Sequence, residues 1–235
     1  MTDTYRTKGL RQQLVKELQK KGISDQKILK AFEDIPRHYF LEKAFEDWAY
    51  KDVPFPIDSE QTISQPYTVA YQTQLLDVKK GDRILEIGTG SGFQACVLAY
   101  MGAKVYSIER HEKLYIKTTK LLEKIGYSMV RTLFGDGYLG AERYAPYQKI
   151  LITAAAKEVP NALFEQLQIG GILIVPLGED NLQVMTKFTK ISNQEFRRES
   201  FDTFRFVPFL PGTEKNGAIN ERKPSKVENT NKVYL

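Results

Sequence analysis

Cysteine and histidine are almost missing from this sequence. Its 235 residues hold one cysteine, Cys96, and two histidines, His38 and His111. One thiol rules out an intramolecular disulfide, and so few soft ligands argue against a structural zinc cluster or a cysteine–histidine nucleophile pair. No metal site is expected, and Cys96, inside an apolar helical run, reads as a buried structural thiol. Long hydrophobic runs are missing too. No stretch approaches the ~20 apolar residues of a membrane span, and residues 1–21 are charged and polar, without the apolar core of a secretion signal. A soluble, cytoplasmic protein with no membrane partner is the expectation. A surplus of one charge is also lacking: 34 Lys and Arg stand against 29 Asp and Glu, for a net +5. The cations are scattered among the carboxylates, which reads as a solvated surface, so no nucleic-acid partner is expected.

What remains is enough for one substantial core, at 42% hydrophobic residues. Leu10, Leu14, Val15 and Leu18 recur at helical spacing, Gly22 can end that helix, and Ser24 can cap a second carrying Ile28, Leu29 and Phe32, closed by Pro36. Tyr39, Phe40, Phe45, Trp48 and Tyr50 follow and read as packing. Residues 53–66, with three prolines and little periodicity, predict a long ordered loop, a feature more often functional than idle. From Asp82 the rhythm changes. Residues 83–87, 104–108, 129–134, 149–153 and 172–175 predict strands, and 94–101, 112–125 and 160–167 predict helices. This alternation implies an α/β fold, a doubly wound, mostly parallel sheet covered on both faces. Residues 182–191 and 203–207, with a polar bend at Asn193 and Gln194, predict a C-terminal antiparallel hairpin.

The first strand runs into Glu86-Ile87-Gly88-Thr89-Gly90-Ser91-Gly92, after which a helix begins. Such a turn brings a ligand close to the backbone at a helix N-terminus. The dinucleotide fingerprint would need glycine at 93, where Phe93 stands. Glu109 ends the next strand, where a carboxylate can accept two hydrogen bonds from vicinal ribose hydroxyls. In Gly135-Asp136-Gly137, Asp136 is either an acceptor for an adenine amino group or an ordinary turn aspartate. An adenosine-type ligand fits these residues, and nothing calls for a pyrophosphate.

The strand and loop at 84–92 resemble motif I of class I methyltransferases. Gln61-Thr62-Ile63-Ser64-Gln65-Pro66 resembles the signature loop of protein-L-isoaspartate (D-aspartate) O-methyltransferases. Ile35-Pro36-Arg37, Ala145-Pro146-Tyr147, Gly170-Gly171, Pro176-Leu177-Gly178 and Arg205-Phe206-Val207-Pro208 continue the pattern in the same order, so the resemblance spans about residues 10–210. It implies S-adenosyl-L-methionine as cofactor and methyl transfer to the free carboxylate of L-isoaspartyl residues in damaged proteins or peptides, which starts repair through a succinimide. It implies Ser64 as the active-site hydroxyl, and Gln61, Thr62, Ile63, Arg205 and Val207 at the substrate. Glu86, Gly88, Thr89, Gly90, Gly92, Glu109, Asp136 and Gly137 would hold the cofactor. Ser64 could instead cap a helix ahead of Pro66, and Arg205 to Pro208 could be an ordinary edge strand.

The sequence departs from that family at Ile57-Asp58-Ser59-Glu60, which lacks the usual glycine. Left-handed backbone becomes costlier there, and two carboxylates are added near an anionic substrate. Other methyltransferases, a nicotinamide oxidoreductase and a non-catalytic binding module are the competing readings. Phe93, and Thr153-Ala154-Ala155-Ala156 where an Asn/Asp-Pro-Pro-Tyr motif would stand, weigh against oxidoreductases and nucleic-acid amino-methylating enzymes. The expected organisation is one domain over 1–212, with a helical and substrate-loop region at 1–66 and a cofactor-binding sheet at 67–212. A flexible basic tail at 213–235 completes it, and a monomer is favoured.

Overall fold

The computed structural model describes residues 2–179, 181–215, 217–220 and 233–234. Helix α1 (Tyr5–Lys20) opens with a capping box between Thr4 and Thr7 and buries Leu14 and Leu18. Helix α2 (Gln26–Asp34) is capped by Asp25, which accepts from the Lys27 and Ile28 amides. Ser24, the expected cap, sits one residue earlier with its amide bonded to Gln74 Oε1. A carboxylate opposite the positive end of the helix is the better acceptor. Two 3₁₀ turns, Arg37–Phe40 and Lys43–Tyr50, then carry the aromatic residues.

Residues 53–66 are ordered, as expected, around a small hairpin of β1 (Phe55–Pro56) and β2 (Thr62–Ile63). Helix α3 (Pro66–Leu76) follows; it has no apolar stripe to announce it, because Thr68, Val69, Ala70, Gln72 and Thr73 are buried around most of its circumference. The alternating region then gives β3 (Arg83–Ile87), α4 (Phe93–Tyr100), β4 (Lys104–Glu109), α5 (Glu112–Lys124), β5 (Arg131–Phe134), β6 (Tyr147–Ile152) and α6 (Asn161–Gln166). The chain continues through β7 (Leu167–Leu177), β8 (Gln183–Lys190), β9 (Glu195–Phe204), β10 (Thr213–Lys215), β11 (Ala218–Asn220) and β12 (Val233–Tyr234).

The main sheet has the order β12-β9-β8-β7-β6-β3-β4-β5. Strands β5, β4, β3, β6 and β7 are parallel, and β8 runs against both its neighbours. The C-terminal hairpin expected from the sequence is therefore β8–β9, but its second strand is longer and earlier than 203–207. The charged run Arg197-Arg198-Glu199, which breaks the apolar alternation, hid the pattern. Strand β7 also outruns 172–175, because Gly170-Gly171 interrupts its apolar run.

Side chains alternate across the sheet. Ile84, Leu151 and Ile174 enter the core shared with α1 to α4, while Leu85, Ile150, Ile152, Leu173 and Val175 enter the one shared with α6. Both faces are covered, so the strands read as continuous apolar runs. The winding reverses between β3 and β6, which opens a crevice at their carboxyl ends. Within the tail expected to be flexible from 213, Thr213, Glu214 and Lys215 instead pair with Asn220, Ile219 and Ala218 as the β10–β11 hairpin. Residues 221–232 and 235 lie outside the described residues. Among the described residues no helix is long and apolar enough to cross a membrane.

Candidate active site

Gly88, Gly90 and Gly92 all have left-handed φ, at 95°, 51° and 85°. A Cβ on Gly88 would lie 2.6 Å from Thr153 Oγ1, and one on Gly92 2.8 Å from Thr118 Cγ2, so both steric room and backbone demand glycine. The loop spends its own donors. The Gly88 and Thr89 amides donate to the Ile108 carbonyl (2.9 and 3.1 Å), that of Gly92 to the Thr89 carbonyl and that of Gly90 to Glu109 Oε2 (2.8 Å). Amides consumed this way cannot cradle a pyrophosphate, which weighs against the nicotinamide reading.

Glu109 is buried, with Oε1 accepting from the His111 amide and Oε2 from Gly90. A carboxylate has about four acceptor positions, so two hydroxyls can still be received from the cleft side. Beneath the loop, Thr89 Oγ1 contacts Ser107 Oγ (2.7 Å), and Ser107 Oγ donates to Glu86 Oε2. Glu86 is fully buried, and desolvation, with a smaller contribution from the charge of Glu109 and against the Ser107 hydrogen bond, pushes its carboxyl up to about 8.

The opposite wall is the substrate-loop hairpin. Ser59 and Glu60 adopt φ of 57° and 55°, so the turn keeps left-handed geometry without the usual glycine. Asp58, however, is matched: Lys113 Nζ lies at 2.7 Å and Lys117 Nζ at 3.5 Å, and the Lys113 hydrogen bond foremost holds its carboxyl below the usual range. Of the two extra carboxylates, that of Glu60 has no partner among the described residues and is exposed at the cleft. Behind the hairpin, Asp52 accepts from the Tyr67 amide (2.7 Å) and Gln65 Nε2 (3.1 Å), capping α3 from outside it. Arg37, 2% exposed, stacks on Phe93 and donates from Nη2 to the Ser64 carbonyl (2.8 Å). Its Nε and Nη1 find no partner among the described residues. Ser64 does not cap α3: the cap position is Gln65, and the Ser64 hydroxyl has no hydrogen-bond partner among the described residues.

A cavity of about 690 Å³ joins the two walls. It brings together Gln61, Thr62, Ile63, Ser64, Gly88, Thr89, Gly90, Glu109, Gly137 and Val207 from the residues singled out in the sequence. Glu86, Gly92, Asp136 and Arg205 are not on its wall. Glu86 lies under the loop, Gly92 packs on α5, and Arg205 is exposed. Asp136 accepts from the Tyr138 amide through Oδ1 and the Gly212 amide through Oδ2, as a turn aspartate does. The sequence reading missed Gln94, Phe209, Glu214 and Ile219, which line it. Gln94 left a signal, as the polar residue in the apolar run Phe93-Gln94-Ala95-Cys96-Val97-Leu98. Its Nε2 donates to Thr73 while its buried Oε1 has no partner among the described residues. Glu86 Oε1 is likewise buried and unpartnered. One orphaned acceptor on the cavity wall, Gln94 Oε1, and the Glu109 carboxylate suited to vicinal hydroxyls match the ammonium and ribose of an aminoacyl-type adenosine cofactor. Among the described residues no group of three or more His, Cys, Asp or Glu side chains could hold a metal ion.

A doubly wound sheet with this glycine turn, ribose-type carboxylate and spent loop amides defines an S-adenosylmethionine-dependent methyltransferase. The sequence profile of the protein-L-isoaspartate(D-aspartate) O-methyltransferases matches residues 9–214. Protein-L-isoaspartate O-methyltransferases of Christiangramia forsetii and Flavobacterium psychrophilum are 56% and 54% identical, each over 89% of this chain and 98% of the relative. A solved protein-L-isoaspartate O-methyltransferase superposes with a TM-score of 0.78 at 33% identity, covering 84% of this chain and 65% of that one. A Plasmodium falciparum structure holding S-adenosyl-L-homocysteine shares the fold, with a TM-score of 0.73 at 24% identity over 84% of this chain and 97% of its own. The chain belongs to the protein-L-isoaspartate (D-aspartate) O-methyltransferase family, an enzyme family that uses S-adenosyl-L-methionine to methylate L-isoaspartyl residues.

Proposed function

We propose that the chain esterifies the free carboxylate of L-isoaspartyl residues in damaged proteins and peptides where Ser64 faces the loop at 88–91. One observation carries this reading: two segments far apart in sequence, 61–64 and 88–91, wall a single cavity. The cofactor supplies a methyl group on a sulfonium, which an oxygen nucleophile can displace in line. The isoaspartyl carboxylate is already ionised at neutral pH, so no general base is required. His111, the histidine of the cavity wall, has Nδ1 3.1 Å from Glu214 Oε2 without a hydrogen bond to it. The chain's task is then to hold two reactants in line. The Ser64 hydroxyl, free of protein partners, donates one hydrogen bond to the incoming carboxylate or its adjoining backbone. Arg37 fixes the Ser64 carbonyl, and so the hydroxyl's position. Gln61 and Thr62 offer amide and hydroxyl groups to the substrate backbone. Glu109 receives the ribose hydroxyls, and Gln94 Oε1 receives the ammonium.

Ser64→Ala is expected to lower kcat about tenfold, the worth of one hydrogen bond made in the transition state, while adenosylhomocysteine affinity stays near normal. Glu109→Ala is expected to weaken cofactor binding at least tenfold. Titration calorimetry and initial rates on an isoaspartyl peptide separate the two effects, and equal binding losses in both variants would make Ser64 a structural residue. The absence of a nucleic-acid partner belongs to the same reading, supported by cations scattered among nearly as many carboxylates.

A further inference from the structure

We infer that hairpin β10–β11, whose first strand contains the end of the family match at residue 214, forms the outer wall of the adenosine site and sets how long the cofactor stays bound. This rests on the cofactor reading above. The hairpin is planted on residues that directly follow the carboxyl ends of β4 and β5. The Glu214 amide donates to the Arg110 carbonyl at 2.8 Å, and its carboxylate lies 3.1 Å from His111 Nδ1. Lys215 Nζ lies 3.3 Å from Glu112, and the Gly212 amide donates to Asp136 at 2.8 Å. Arg110 and His111 come immediately after Glu109, so the anchor and the ribose carboxylate share one stretch of backbone.

Within the hairpin Glu214 is directly opposite Ile219, and side chains paired across antiparallel strands emerge on the same face. That face is the cavity, which both residues line. Ile219 is nevertheless 60% exposed, an aliphatic side chain left bare at the mouth of a cleft that holds hydroxyl acceptors deeper in. A flat heteroaromatic ring covers such a surface well. The apolar area it removes from water is returned only when the ligand leaves, so the effect falls mainly on the dissociation rate.

The test uses the full chain carrying Ile219→Ala, Glu214→Gln or both, with Met129→Ala as control, an exposed apolar change ahead of β5. Stopped-flow measurement should show adenosylhomocysteine leaving roughly fivefold faster from Ile219→Ala. It should leave about twofold faster from Glu214→Gln, and Met129→Ala should match the unaltered chain. KM for S-adenosylmethionine should rise in step while KM for an isoaspartyl peptide stays constant. Unchanged release from both hairpin variants would overturn the inference, as would a shift confined to the peptide KM. If the unaltered chain failed to bind adenosylhomocysteine, the cofactor reading itself would fall, a result distinguishable from loss of the hairpin's role alone.

Discussion

Glu86 is the residue on which burial and charge conflict most sharply. Its carboxyl ordinarily ionises near 4.5, and in the fold it is held up to about 8, chiefly by desolvation. The folded state therefore binds a proton that the unfolded chain has released, and between those two pH values stability falls as pH rises. Below about 4.5 the penalty is absent, and above about 8 it is complete, at a few kcal/mol. Glu86→Gln keeps an acceptor for Ser107 and removes the ionisation. Its melting temperature is expected to exceed that of the unaltered chain by a margin that grows from pH 5 to pH 8 and then stays level. A margin independent of pH, measured calorimetrically without cofactor, would mean that the carboxyl is not held neutral. At the same scale, the family resemblance implied a place for Glu86 at the cofactor. Strand alternation instead turns its side chain under the loop, a placement visible only once the face of β3 is known.

Among the elements, the substrate loop shows a positioning device with a stability cost. Arg37 is a buried cation with two unpartnered nitrogens, and an unpaired charge in a desolvated site is unfavourable. Burial alone lowers its proton affinity, to about 9, leaving it cationic at neutral pH. Arg37→Met removes the charge at similar volume, so the melting temperature is expected to hold or rise. The rate constant kcat/KM for an isoaspartyl peptide should fall about tenfold as the Ser64 carbonyl loses its anchor. A stability loss with unchanged kcat/KM would assign Arg37 to the core. Asp52 works on the same loop from the other side, and Asp52→Ala is expected to cost about 1–2 kcal/mol, read by denaturant unfolding, because the α3 amide of Tyr67 loses its cap.

The parallel strands were legible in the sequence because short β-branched runs alternate with helices. Helix α3 was not, since it is buried on most sides, and β10–β11 was not, since polar strand pairs carry no apolar alternation. Of the site, the glycine turn, Glu109 and Ser64 were legible as motifs. Glu214 and Ile219 were not, because they reach the cleft only through the return of the chain across β4 and β5, and Gln94 showed only as a polar residue in an apolar run.

At the scale of the whole molecule, one sheet supports two walls built by different means. The inner wall is glycine backbone fixed by spent amides, and the outer wall is made of hairpins held by ion pairs to α5: Asp58 with Lys113 from one side, Lys215 with Glu112 from the other. A reaction that needs no proton removed can be run by such positioning alone, and discrimination then lies in where the carboxylate sits on the backbone. The most direct measurement is transfer of labelled methyl from S-adenosylmethionine to two peptides of identical sequence, one with an L-isoaspartyl and one with a normal aspartyl linkage. Base-labile methyl ester on the isoaspartyl peptide alone is the predicted result; equal labelling of both, or of neither while adenosylhomocysteine still binds, would contradict it.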